Sequence, residues 1–112
     1  MVWLQSGRAC GATWKEELVI DGRAYGLYVK TDWDPRKIYA AFVLRNGPIP
    51  ARVPLHSFIE HVCRRGYGDP DDYLAAVELG TEVWWGSGRA EVRDFGLDLV
   101  LGPAAAAASV SR

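Results

Sequence analysis

Leu18-Val19-Ile20-Asp21-Gly22-Arg23-Ala24-Tyr25-Gly26-Leu27-Tyr28 is the stretch on which the reading of the fold turns. Apolar and β-forming residues flank an Asp-Gly pair, and Asp-Gly supplies the positive φ angles that a tight two-residue turn requires. Two antiparallel strands are therefore predicted, with Glu16 and Glu17 at the start of the first, read as solvated. Downstream, residues 32–37 hold Pro35 among charged side chains and read as a loop before a strand over 38–44. Asn46-Gly47 is a second turn signal of the same kind. Pro48, Pro50 and Pro54 then exclude an interior strand, because proline cannot donate to a ladder.

From Pro54 the apolar period changes. Leu55, Phe58, Ile59 and Val62 fall at i, i+3, i+4 and i+7, one stripe of a helix, with Pro54 near its first position. Arg64 and Arg65 suit its negative end and Gly66 its cap. The stripe is expected to lie against the outside of a sheet. Asp69-Pro70-Asp71-Asp72 has the chemistry of a second helix start, which residues 73–79 would continue as far as Gly80.

The segment Leu79-Gly80-Thr81-Glu82-Val83-Trp84-Trp85-Gly86-Ser87-Gly88 sets one carboxylate in an apolar, aromatic run that closes on a glycine-rich turn. A carboxyl between tryptophans has a raised pKa when burial disfavours its charged form, and a raised pKa suits a general acid at neutral pH. The competing reading is a strand-edge Glu facing water. Further on, Phe95, Leu97, Leu99 and Leu101 alternate with Asp94, Gly96 and Asp98, predicting a last strand over 91–101 with one buried and one wet face. The alanine-rich residues 102–112 are expected to form a disordered tail, since a short alanine helix is marginal alone.

Taken together in order, these segments resemble glycoside hydrolase family 12, the compact endo-β-1,4-glucanases (cellulases). Gly80-Thr81-Glu82, the apolar run and Gly86-Ser87-Gly88 are similar to that family's acid/base strand. Residues 55–64 resemble its single helix, Gly66-Tyr67 and 69–73 the loop that follows, and the hairpin with 39–43 the strands before the helix. The resemblance covers residues 1 to about 100. It implies a short turn at 69–73 and a strand over 74–85, against the local helix propensity there. It also implies an all-β, concanavalin A-like jelly-roll β-sandwich with one packed helix, in an incomplete form: residues 1–101 would be the C-terminal half of the domain.

By the same resemblance Met1-Val2-Trp3-Leu4 is similar to the segment that follows the family's nucleophile, a Glu two positions before Met1. Met1 and Trp3 share that residue's strand face and are expected in the substrate cleft, as is Trp84, which shares the face of Glu82. A retaining glycosidase needs two carboxyls about 5 to 5.5 Å apart, one nucleophile and one acid/base. Glu82 fills the acid/base role, and the chain lacks the other. Glu78 cannot replace it, because four strand residues at about 3.3 Å each place it roughly 13 Å from Glu82. Glu78 stands where the family often has Gln, a departure that would add a charge beside the cleft. The implied activity is retaining hydrolysis of β-1,4-glucan, absent from this half alone. The alternatives are a non-catalytic carbohydrate-binding sandwich and a truncated reading frame.

The 112-residue composition, with 49% hydrophobic residues, five Trp, five Tyr and twelve Gly, fits one small β-class unit. A formal net charge of -1 with both signs mixed gives no footprint for nucleic acid or anionic lipid. No apolar run approaches a membrane span of about 18 to 20 residues, and the N-terminus lacks the order of a signal peptide. The family is mostly secreted, so an extracellular parent is implied. The expected partner is a β-glucan polysaccharide, and strand edges without neighbours invite self-association. No cofactor or metal is expected: His56 and His61 lie on different helix faces and read as surface residues, and Cys10 and Cys63 read as two free thiols. Trp14, Trp33 and Trp85 are read equally as core or as cleft rim.

Overall fold

The structure, a computed structural model, describes residues 1–5, 11–31, 37–82 and 86–100. Its elements are β1 (Val2–Trp3), β2 (Thr13–Ile20), β3 (Arg23–Lys30), β4 (Tyr39–Leu44) and α1 (Leu55–Arg64). Asp21 at φ 51° and Gly22 at φ 74° close the β2–β3 hairpin with two successive positive φ angles, as the Asp-Gly pair predicts. Asn46-Gly47 behaves differently. Only Gly47 takes a positive φ, of 96°, and the chain bends away into the proline segment without closing a hairpin.

The four strands make one sheet in the order β1-β4-β3-β2. β2 with β3 and β3 with β4 are antiparallel, whereas β1 runs parallel to β4, with Val2 opposite Phe42 and Trp3 opposite Val43. The parallel pairing reaches one residue further. The Met1 ammonium donates to the Ala40 carbonyl at 2.7 Å, and the Phe42 amide donates to the Met1 carbonyl at 2.9 Å.

Alternation sorts the side chains onto two faces. Tyr25, Leu27 and Val29 of β3 share one face with Phe42 of β4 and Ile20 of β2, and Phe58 of α1 packs onto them to form the core. The Phe58 ring meets Tyr25 and Phe42 edge-on, each at 4.9 Å between centroids. Full burial of a Phe side chain is worth about 1.5–3 kcal/mol, and each such ring pair about 0.5–1.5 kcal/mol more. One residue therefore does much to fasten the helix to the sheet.

α1 ends as its glycine predicts. Gly66, at φ 79°, donates its amide to the Cys63 carbonyl, and the Tyr67 amide reaches back to the Val62 carbonyl at 2.9 Å. These two bonds are a Schellman closure, and Val62 and Tyr67, the pair it brings together, both pack against the core. The predicted stripe is rotated in one detail. Ile59 is 45% exposed, while His61 is half-buried beside Phe42, with ring centroids 6.1 Å apart.

Residues 69–72 form the short turn: Asp69 accepts the Asp71 amide on its side chain and the Asp72 amide on its carbonyl, and no second helix follows. The strands predicted over 74–85 and 91–101 are not formed by the described residues in those ranges. A strand exists only through ladder bonds to a neighbour, and no described residue pairs with either segment. By contacts the chain divides into units of residues 1–75 and 76–112. The first holds all five elements. The architecture is thus strand-dominated with one packed helix, and among the described residues there is a single sheet. Cys10, Trp33, Trp84, Trp85 and the predicted tail lie outside the described residues.

Candidate functional site

The face of the sheet turned away from α1, the outer face, carries the chemistry that the core does not absorb. By register it holds Met1 and Trp3 of the β1 segment, Tyr39, Ala41 and Val43 of β4, Gly26, Tyr28 and Lys30 of β3, and Trp14 of β2. Met1 is 62% exposed and Trp14 45%, while Trp3, Tyr28 and Tyr39 are half-buried. Two residues between these rings are small. Ala41 is 0% exposed although it faces away from the helix.

Gly26 is the second small residue, and here the covering ring is known. A Cβ at Gly26 would stand 2.6 Å from Cζ3 of Trp14, so the indole occupies the space that a side chain would take. Trp14 meets Tyr28 edge-on at 5.4 Å, and the Arg45 guanidinium stands 5.4 Å from the Trp14 ring centre. Trp14 is therefore fixed on three sides. At 45% exposed it is not a core residue.

A bulge makes that placement possible. In a regular strand Trp14 and Glu16 would share a face. The register shifts between them, Trp14 pairing with Tyr28 and Glu16 with Leu27, so Lys15 is the extra residue and Glu16 turns to the helix side. There Glu16 accepts bonds from both Nε and Nη2 of Arg65, each at 3.0 Å, and is bonded to Nε2 of His61. The His61 bond, opposed by desolvation and assisted by Arg65, holds the Glu16 carboxyl below the usual carboxylate range. Glu16 is thus a tie between β2 and α1 and not a solvated residue, and His61 is its partner and not a surface histidine. His56 does stay exposed, 3.7 Å from Glu60. Cys63 is a free, half-buried thiol.

At the N-terminal end of the site, the indole Nε1–H of Trp3 donates to the Tyr39 hydroxyl at 3.2 Å, and that hydroxyl donates toward the Met1 sulfur at 3.5 Å. The structure thus brings together Met1 and Trp3, two of the residues expected in a cleft, and adds Tyr39, which sequence reading treated only as a strand residue. The alternation Tyr39, Ala41, Val43 beside Gly26, Tyr28 was the signal available for it.

Glu82 and Glu78 lie in the second unit. Both are exposed, in a stretch without regular structure. Glu82 is therefore not enclosed by strand neighbours here, and Trp84, expected on its face, lies outside the described residues. Among the described residues no three or more His, Cys, Asp and Glu side chains gather as a metal site, and no helix is long and apolar enough to cross a membrane. No protein-family model matches this chain, and neither a curated protein nor a solved structure shows significant similarity to it.

Proposed function

We propose that this chain is the C-terminal half of a jelly-roll endo-β-1,4-glucanase similar to glycoside hydrolase family 12, active on β-1,4-glucan once the missing strands are supplied. The observation that supports it is the outer face, which by register gathers Met1, Trp3, Tyr28, Tyr39 and Trp14, with Trp14 and Tyr28 against the small residue Gly26. Pyranose rings present apolar faces that stack on such aromatic surfaces, and phenol and indole groups meet the hydroxyls at their edges.

In the complete enzyme a Glu two positions before Met1 attacks the anomeric carbon while Glu82 protonates the departing glycosidic oxygen. Glu82, now a carboxylate, then takes a proton from the water that releases the sugar, restoring both groups. Met1 and Trp3, on the nucleophile's own strand face, and Trp84, on the face of Glu82, would line the substrate cleft. Glu78 would add negative charge near Glu82. The second sheet of the sandwich comes from the upstream strands and from 74–85 and 91–101 once these have neighbours to pair with. A secreted parent follows from the same reading.

The test is reducing-sugar release from carboxymethyl cellulose and from barley β-glucan, comparing this chain with one extended upstream through a nucleophile strand. Activity is expected only in the extended chain and should fall roughly 10²–10⁴-fold in its Glu82→Gln variant, the usual contribution of a general acid/base. Activity of the short chain, or of the extended Glu82→Gln variant, would overturn the reading. Binding of β-glucan by an extended chain without hydrolysis would favour a carbohydrate-binding sandwich.

A further inference from the structure

The Tyr39 hydroxyl stands between two residues of the β1 segment. It accepts the Trp3 indole N–H at 3.2 Å and donates toward the Met1 sulfur at 3.5 Å. Trp3 sits on a short edge strand: among the described residues β1 spans only Val2–Trp3 and pairs with β4 alone. Tyr39 begins β4 and lies on the same outer face, four residues from Val43, the register partner of Trp3. The Trp3 and Tyr39 side chains therefore lean toward one another along the strands to make the bond. A stacking platform binds a sugar ring more tightly when its plane is set beforehand, since ordering a free side chain at binding costs about 0.5–1.5 kcal/mol.

We propose that Tyr39 is a positioning residue for carbohydrate: its hydroxyl fixes the Trp3 ring and the Met1 side chain in the arrangement that takes a β-1,4-linked glucose chain. The proposal rests on the glucanase reading for the identity of the sugar. It goes beyond that reading in assigning the orientation of Trp3 to a residue of another strand.

The experiment is calorimetric titration of the full chain with cellohexaose, in the unaltered protein, Tyr39→Phe, Trp3→Phe and the double variant, each with a thermal melt. Tyr39→Phe removes only the hydroxyl, so its melting temperature should stay close to that of the unaltered protein. Its affinity should drop about 3- to 10-fold, the scale of one hydrogen bond. Because both single variants break the same bond, the double variant should bind no more weakly than Trp3→Phe alone, a non-additivity that a general structural role does not produce. Two outcomes would overturn the proposal in different ways. If Trp3→Phe weakens binding and Tyr39→Phe does not, the sugar reading stands and the role of Tyr39 falls. If the unaltered chain does not bind cellohexaose, the role of Tyr39 falls, while the glucanase reading stands or falls separately on hydrolysis by the upstream-extended chain.

Discussion

Gly26 shows how a single missing side chain shapes the outer face. It is buried on the central strand β3, and a Cβ there would stand 2.6 Å from the Trp14 ring and 3.2 Å from Tyr28. Real Cβ contacts do not approach 2.6 Å, so in Gly26→Ala the indole must leave its place against Tyr28 and beneath Arg45. The variant is expected to lose about 1–3 kcal/mol of stability, the cost of overpacking a fitted site. Urea unfolding followed by tryptophan emission checks this. Trp14→Ala in the same background should recover part of the loss, because the offending ring is then gone. If Gly26→Ala unfolds at the urea concentration of the unaltered protein, Trp14 is not held against the sheet. Sequence reading left Trp14 between core and rim, and strict alternation would put it on the face of Glu16. The bulge at Lys15 that separates them leaves no mark in the order of residues.

At the scale of elements, the hairpin and helix were legible because their signals are local. Asp21-Gly22 dictates positive φ, and the period of Leu55, Phe58 and Val62 with Gly66 after it dictates both helix and closure. What sequence missed is the tie between elements far apart in the chain, the Glu16 carboxylate with His61 and Arg65, 45 and 49 residues away. That tie has a pH signature. The folded-state pKa of Glu16 lies below its ordinary value of 4.5, so the ionised carboxylate stabilises the fold above that pH, and the contribution is lost as pH falls through the lowered folded value. The melting temperature should therefore drop as pH is lowered from 4.5. Glu16→Gln, which keeps the shape and removes the titrating group, should be less stable at neutral pH and show a shallower decline below 4.5. Melts at several pH values compare the two slopes, and equal slopes would mean that Glu16 does not hold α1 to β2.

For the whole molecule, the apolar pattern was legible, but no described strand pairs with the segments that carry it. Phe95, Leu97 and Leu99 alternate as a half-buried strand would, yet they are 56%, 51% and 62% exposed. Leu74, Leu79 and Val92 are exposed as well. Apolar side chains left in water on backbone without regular structure favour association, since each buried methylene gains about 0.8 kcal/mol and unpaired amides seek a ladder. β2 is a poor place for such pairing. It is the sheet's edge, but its bulge and the charged Lys15 and Glu17 blunt it. Association is therefore expected through residues 74–100. Sedimentation should show this chain forming larger species as concentration rises, reduced when Phe95, Leu97 and Leu99 are together replaced by Thr, which keeps a β-forming side chain and removes most of the apolar surface. The same replacement should do the opposite in the upstream-extended chain, because there these residues are proposed to fill the sandwich core. It should lower its stability by several kcal/mol, at about 1–3 kcal/mol for each large apolar side chain lost from a core. A tolerant extended chain would mean that the alternating segment is surface in the complete protein, and the sandwich would have to be closed by other strands.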